Sequence, residues 1–544
     1  MSKLKDFKKH ISEGYTFKKD SIIIGGAMLD GEPVQDLQVK IPLKTLNRHG
    51  LIAGATGTGK TKTLQILAEQ MSLQGIPTVL MDIKGDLSGL AQPGETNDHI
   101  KWRSESIGID YLPANLLVEL MSISEEKGVR LRATVSEFGP TLMSKILSLN
   151  DTQRGLLTIL FKYCDDMEIP LLDLKDLRKT LQFFTGEGKE EIQDEYGQIS
   201  AASVNTIMRK VIELEQQGAE KFFGEKSFDV NDFIFTNSEG KGQISIIRLA
   251  DIQNKPKLFS TFMLGLLAEL YEFLPEVGDA DKPKMCLFID EAHLVFNEAT
   301  DELLDQIEVI IKLIRSKGVG VFFCTQLPTD IPDEVLSQLG LKVQHALRAF
   351  TAKDRKSIKK TAENYPLSDY YETDEIITQL GIGEALVTSL NEKGIPTPLA
   401  ATLLRAPVTR MDILSASEID DLVKYSTLTD KYNEEIDRES AYEILGGKIK
   451  QAKEEDHQAE MKKKREIQQK EIAKQRALLD KQRAKERKEK ERAQKKAEQA
   501  RKKSKSTSRK TTTRKRRSSS SSSGSDILIK ELTRGLFSIL GMKK

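Results

Sequence analysis

The sequence predicts an α/β protein built on a parallel sheet, and three observations carry that expectation. A glycine-rich loop, Gly54-Ala-Thr-Gly-Thr-Gly-Lys-Thr61, lies between an apolar strand at 51–53 and a helical stretch at 61–72. A second apolar strand at 285–289 ends on two acids, Asp290 and Glu291. Around both, strand and helix patterns alternate, as they do in βαβ units.

The elements follow in chain order. Residues 1–46 read as a small N-terminal β element, with β-rich stretches at 21–24 and 38–41 and turn signals at Gly25-Gly26 and Asp30-Gly31. The first half of the nucleotide-binding core is expected over 47–124, its second strand at 77–82 ending on Asp82. Residues 125–240 form a mainly helical insertion, with amphipathic stretches at 142–149, 155–164 and 204–216. The second half of the core occupies 241–450. It holds strands at 244–249, 285–289, 319–324, 343–349 and 384–389, and helices at 258–273 and 302–316; 405–409 is either irregular or a last short strand. Residues 451–523 are a tail: a charged helix to about 500, then a Ser-rich stretch expected to be disordered. A terminal amphipathic helix is expected over 524–544, with Leu528, Leu532, Leu536 and Leu540 on one face.

The loop at 54–61 fits the phosphate-binding pattern in full, and the spacing has a chemical reason. Gly54, Gly57 and Gly59 let the backbone N–H groups of Ala55, Thr56, Thr58 and their neighbours curl around a β-phosphate without Cβ clashes. Lys60 is placed to neutralise the β- and γ-phosphates, and Thr61 to bind Mg²⁺. Lys62 completes the first turn of a helix whose N-terminus faces the anion. ATP and Mg²⁺ are therefore the expected cofactors. Asp290 would complete the Mg²⁺ shell and Glu291 would polarise the attacking water. His293 reads as structural or substrate-sensing rather than catalytic. The next apolar strand ends on Thr325 and Gln326, so Gln326 is a candidate for reaching the γ-phosphate or the water. Asp82 and Asp86 stand near the same sheet edge, where structural and functional readings remain open. Arg315 and Arg348 are arginine-finger candidates.

Composition bounds the rest. The net charge of +1 hides an asymmetry: residues 451–520 hold 27 Lys and Arg against 11 Asp and Glu, so the remainder is net acidic. The three cysteines, Cys164, Cys286 and Cys324, lack metal-ligand spacing, and Cys286 and Cys324 fall in apolar strands as small buried hydrophobes. No stretch approaches the ~20 apolar residues of a membrane span, and the charged first ten residues do not suit a signal peptide. A cytoplasmic protein with no integral membrane segment is expected.

At these motifs the chain resembles the HerA–FtsK group of P-loop ATPases, and most closely its HerA-like (YjgR-like) branch. The resemblance spans about residues 20–450. It runs from Asn47-Arg-His49 into GATGTGKT, through VLMDIKGDLSGL at 79–90 and a long helical insertion, to LFIDEAHLVF at 287–296. It then continues through IRSKGVGVFFCTQLPTDIP at 314–332, LSQLG at 336–340 and HALRAFTAKDRK at 345–356. The basic tail with its terminal apolar helix also looks like that branch, whereas Leu327 departs from the Arg or Asn often found there. The resemblance implies a RecA-like sheet, a homo-oligomeric ring with hexamers favoured, and ATP-driven movement on nucleic acid, DNA favoured. It matches Arg315 to the arginine preceding the glutamine strand and Arg348 to the one in the following strand. HerA carries an N-terminal barrel that docks a nuclease; residues 1–46 are short for it, so no nuclease partner is expected. Two rival readings are a protein-directed, secretion-type ATPase and a nucleotide-gated scaffold whose basic tail binds nucleic acid.

Overall fold

The computed structural model describes residues 2–278, 280–297 and 301–503. The Ser-rich stretch and the terminal amphipathic helix expected beyond 503 lie outside the described residues. The chain divides into two units, 1–453 and 454–544.

The first unit contains one twelve-stranded sheet. Its strands are β1 (Ser21–Leu29), β2 (Glu32–Pro42), β3 (Gly50–Ala53), β4 (Thr78–Asp82), β5 (Val118–Ser122) and β6 (Val129–Arg130). They continue with β7 (Ile244–Arg248), β8 (Met285–Ile289), β9 (Val319–Thr325), β10 (Leu341–Gln344), β11 (Glu384–Thr388) and β12 (Ala400–Leu404). The spatial order is β2-β1-β12-β11-β10-β3-β9-β8-β4-β7-β5-β6. From β10 to β6 every pairing is parallel; from β10 to β2 every pairing is antiparallel. The fold is that of a RecA-like P-loop NTPase, as the sequence predicts.

The central strands are apolar along their whole length because both faces of the sheet are covered. Alternate residues go to opposite sides. Leu51, Met81, Leu287, Ile289, Val321 and Phe323 join one core cluster, while Ile52, Leu80, Phe288 and Phe322 join the other. Phe288 and Phe322 stack across β8 and β9 with ring centroids 4.8 Å apart. The first face is covered by the helices of the insertion, including Asp151–Asp166, Leu174–Thr185 and Ala201–Gln216, and by the helix Pro256–Phe273. Capping boxes at Thr134, Asn150 and Asp173 start three of the insertion helices by satisfying their leading N–H groups. The second face is covered by the helix Lys60–Leu73, through Leu64, Leu67, Ala68 and Met71.

The N-terminal hairpin β1–β2 continues the main sheet, since β1 pairs with β12, Gly25 opposite Leu404. A helix, Ser2–Gly14, precedes it and buries Phe7 and Ile11. The strand expected at 343–349 is shorter, since β10 ends at Gln344. Arg348 therefore stands in the irregular segment that follows.

The final helix runs Ala441–Lys503. Ala441 and Leu445 are buried in the first unit's core. In the second unit, residues 454–501 are exposed throughout, with ion pairs such as Lys464–Glu460 (3.2 Å) along the surface. No helix among the described residues is long and apolar enough to cross a membrane.

Candidate nucleotide site

Parallel strands bring their carboxyl ends to one edge of a sheet, and the register aligns three of them here. Ala53 of β3 is opposite Thr325 of β9, and Phe323 of β9 is opposite Ile289 of β8. Gly54, Gln326 and Asp290 each follow one of these strand ends, with β9 between the glycine loop and the acidic pair.

The loop is shaped by glycine. Gly57 and Gly59 have φ of 78° and 110°, in the region that disfavours side chains, and Gly59 caps the helix that begins at Lys60. At Gly54 a Cβ would stand 2.4 Å from the Cβ of His345, so the backbone there can approach only as glycine. Four contacts hold the loop from outside. Ala55 N donates to Ala346 O at 2.9 Å, Gly54 N to Thr325 O at 3.3 Å, Gly383 N to Thr58 O at 3.1 Å, and His345 N to Ala53 O at 2.7 Å. Thr56 and Gly57 are exposed at its crest. Lys60 is buried, its Nζ donating to Ala55 O at 3.1 Å, and burial pushes its ammonium pKa down. Thr61 is half-buried on the first turn, while Lys62 points away from the loop, its Nζ donating to Gln65 Oε1 at 3.2 Å and to the Met411 carbonyl.

At the end of β8, Asp290 is 1% exposed. Neither carboxylate oxygen has a well-formed hydrogen bond; the weak Cys324 thiol and the Glu291 backbone N–H stand beside it, and Lys84 Nζ is 3.9 Å from Oδ2. Burial raises its pKa and Lys84 opposes that rise. Glu291 adopts φ of 46° and ion-pairs through Oε1 with Lys84. Its Oε2 lies 3.1 Å from His293 Nδ1. A buried carboxylate with unfilled lone pairs suits a hard oxygen-seeking cation. Among the described residues no cluster of three or more His, Cys, Asp or Glu surrounds a cation position. Thr61 and Asp290 are the residues that would contribute to such a shell. A divalent cation held there would supply charge neutralisation for bound phosphates.

The other candidates fall in different places. Gln326 is exposed at the site edge, where Asp330 Oδ2 shapes the turn by accepting from Thr325 Oγ1 (2.6 Å) and Leu327 N (2.9 Å). Asp82 is structural: Oδ1 accepts from Gly85 N (2.7 Å) and Asp86 N (3.2 Å), and Oδ2 from Leu87 N (3.2 Å). Its pKa is pushed up to about 7, chiefly by burial and then by Asp86. Arg315 sits in a 3₁₀ turn before β9, at the sheet edge opposite the phosphate loop. Arg348 lies on the loop's own side, two residues past Ala346, and donates to Thr378 O at 2.9 Å.

Three residues were not singled out by motif reading. Lys84 meets both acids, as above. His345 packs beneath Gly54 and pairs through Nε2 with Thr63 Oγ1 at 2.8 Å. His49 ties β3 to its neighbours: Nε2 meets Ile311 O at 2.9 Å and Nδ1 accepts from Val321 N at 3.0 Å. All three fall inside stretches that carry the family resemblance, which was the available signal.

The family model described as Helicase HerA-like C-terminal matches residues 28–544. The DNA double-strand break repair helicase HerA of Sulfolobus acidocaldarius is 21% identical over 66% of this chain and 66% of its own length. The DNA import protein CedB of the same organism is 25% identical over 65% of this chain and 52% of its own. The chain thus spans slightly under two thirds of the first relative's length and about half of the second's. Among solved structures, the bacterial conjugative coupling protein TrwB superposes with a TM-score of 0.48 at 14% identity, covering 75% of this chain and 95% of that one. With its glycine loop, acidic strand end and intervening strand in register, and with a family match over nearly its whole length, the chain belongs to the HerA-like helicase C-terminal family.

Proposed function

We propose that this protein is an ATP-hydrolysing motor that assembles into a ring, six subunits favoured, and translocates on or remodels DNA. The observation that carries the reading is the juxtaposition at one sheet edge of the glycine loop, the Asp290-Glu291 strand end and, between them, the end of β9 with Gln326. In this reading the loop 54–62 binds ATP, Lys60 balances the β- and γ-phosphate charge, and Thr61 and Asp290 hold Mg²⁺. Glu291 polarises the attacking water, Gln326 senses the γ-phosphate, and Arg315 or Arg348 serves a neighbouring subunit's site. DNA as the polymer is supported by the names of the HerA and CedB relatives and by the basic segment after residue 451.

The test is ATP turnover measured with double-stranded DNA, with single-stranded DNA and without polymer. DNA should stimulate turnover, and Lys60→Ala should abolish it under all three conditions. Turnover indifferent to both DNAs would move the function to a protein-directed motor or a nucleotide-gated scaffold.

A further inference from the structure

Glu291 lies in a backbone region that a non-glycine residue occupies only when its surroundings over-determine it. Those surroundings include Lys84, whose Nζ ion-pairs with Oε1, and His293, whose Nδ1 faces Oε2 at 3.1 Å without a well-formed hydrogen bond. Lys84 also stands 3.9 Å from Asp290 Oδ2, so one ammonium faces two adjacent carboxylates that are 1% and 8% exposed. Lys84 is itself placed with care. It rides on the short loop after β4, and the buried Asp82 carboxylate fixes that loop through the three backbone N–H bonds of Gly85, Asp86 and Leu87. Its side chain is 34% exposed, at the rim of the site rather than within the core.

We propose that Lys84 is the positioning residue for Glu291: its ammonium, anchored by the Asp82-pinned loop, holds the Glu291 carboxylate beside Asp290 and offsets the repulsion between the two acids. This rests on the reading of Glu291 as the residue that polarises water. In this proposal Lys84 acts through Glu291 rather than on the reacting atoms. Asp82, an acid at the same sheet edge, thereby gains a role as the anchor of the loop that carries the lysine.

The experiment is a double-mutant cycle on the full chain, read by steady-state and single-turnover ATP hydrolysis. A small misplacement of a catalytic group can lower a rate ~10²-fold, so Lys84→Met should reduce kcat by ~10–100-fold while KM for ATP stays within ~3-fold. Lys84→Arg keeps the cation and should recover most of the loss, which a general folding defect would not allow. On a Glu291→Gln background, adding Lys84→Met should change the residual single-turnover rate by less than ~2-fold, because a residue acting through Glu291 has nothing left to position. Wild-type kcat in Lys84→Met, a rise in KM with kcat unchanged, or a full further loss on the Glu291→Gln background would each overturn the proposal. The last outcome would assign the lysine to the phosphate instead. Glu291→Gln alone turning over like wild type is a separate result: it removes Glu291 as the water-polarising residue, and the role of Lys84 falls with it.

Discussion

His49 shows how much a single side chain can fix. With Nε2 facing the Ile311 carbonyl and Nδ1 accepting from the Val321 N–H, only the neutral imidazole protonated at Nε2 satisfies both neighbours. Burial pushes its pKa down to about 4 from an ordinary 6.5, with Arg315 adding to the fall and the Ile311 bond opposing it. Between those values the unfolded chain binds the proton and the folded one does not. The stability contributed by His49 is therefore complete at pH 7 and is lost as pH falls from about 6.5 towards 4. Glu69 and Asp82, both pushed up to about 7 by burial, act with the opposite sign over much of the same window. The difference between two proteins thus isolates the histidine. His49→Asn should lower unfolding stability by ~1–3 kcal/mol at pH 7, and the gap should narrow as pH falls to 4, measured by chemical denaturation. Parallel stability curves would show that the His49 proton is not linked to folding. The sequence displays the placement of Lys60, Asp290 and Glu291 at a loop and a strand end because local spacing sets it. It does not display the partnerships of Lys84 with Glu291 or of His345 with Thr63, because those join residues some 200 to 280 positions apart.

At the scale of elements, the central strands were legible because burial on both faces gives short unbroken apolar runs, as in β4, β8 and β9. The strands β5 and β6 were missed: one carries Glu119 at its second position and the other is two residues long. β12 reads Ala-Ala-Thr-Leu-Leu, a composition with weak strand preference, and it stands immediately before the expected 405–409. The helix Ser2–Gly14 hides its apolar face, Phe7 and Ile11, among lysines. The last helix combines two kinds of sequence. Its first turns belong to the core through Ala441 and Leu445, whereas from Glu454 onward it is exposed and rich in Lys and Arg. A chain ending at Lys453 should therefore keep basal ATP turnover. It should also bind DNA more weakly, with a flatter dependence of log affinity on log salt, because each cation withdrawn from phosphate contact lowers that slope by about one. No aromatic residue occurs in 454–503, so base stacking is not expected and the loss should be the same for unrelated sequences. Equal affinity and equal salt slope with and without the segment would assign it to another role, such as a protein contact.

Across the whole molecule, β9 spans the sheet between two places that lie close together in the sequence. Its carboxyl end reaches the phosphate loop and its amino end follows Arg315, about 20 Å away at ~3.3 Å per residue. Arg315 is thus too far to serve the loop of its own chain. Arg348, on the loop's own side, is under no such constraint. Arginine fingers are worth ~10³–10⁵ in rate. Mixing Arg315→Ala subunits with Glu291→Gln subunits should restore part of the turnover that each lacks alone, and Arg348→Ala tested the same way decides between the two. If neither mixture gains activity in assemblies shown to exchange subunits, a trans role is excluded for both arginines.

The seam between β1 and β12 has a bearing on how the chain is made. Gly25 and Leu404 are partners, yet about 380 residues separate them along the chain. At a synthesis rate of ~5–20 residues per second, the hairpin leaves the ribosome roughly 20–75 s before the strand it must join. During that interval Ile22, Ile24 and Ala27, all buried in the finished protein, have no permanent neighbour, and one edge of the hairpin has an open row of N–H and C=O groups. The β1–β12 seam therefore cannot close until about 380 further residues have been made, and the hairpin's apolar face stays open to other contacts until then.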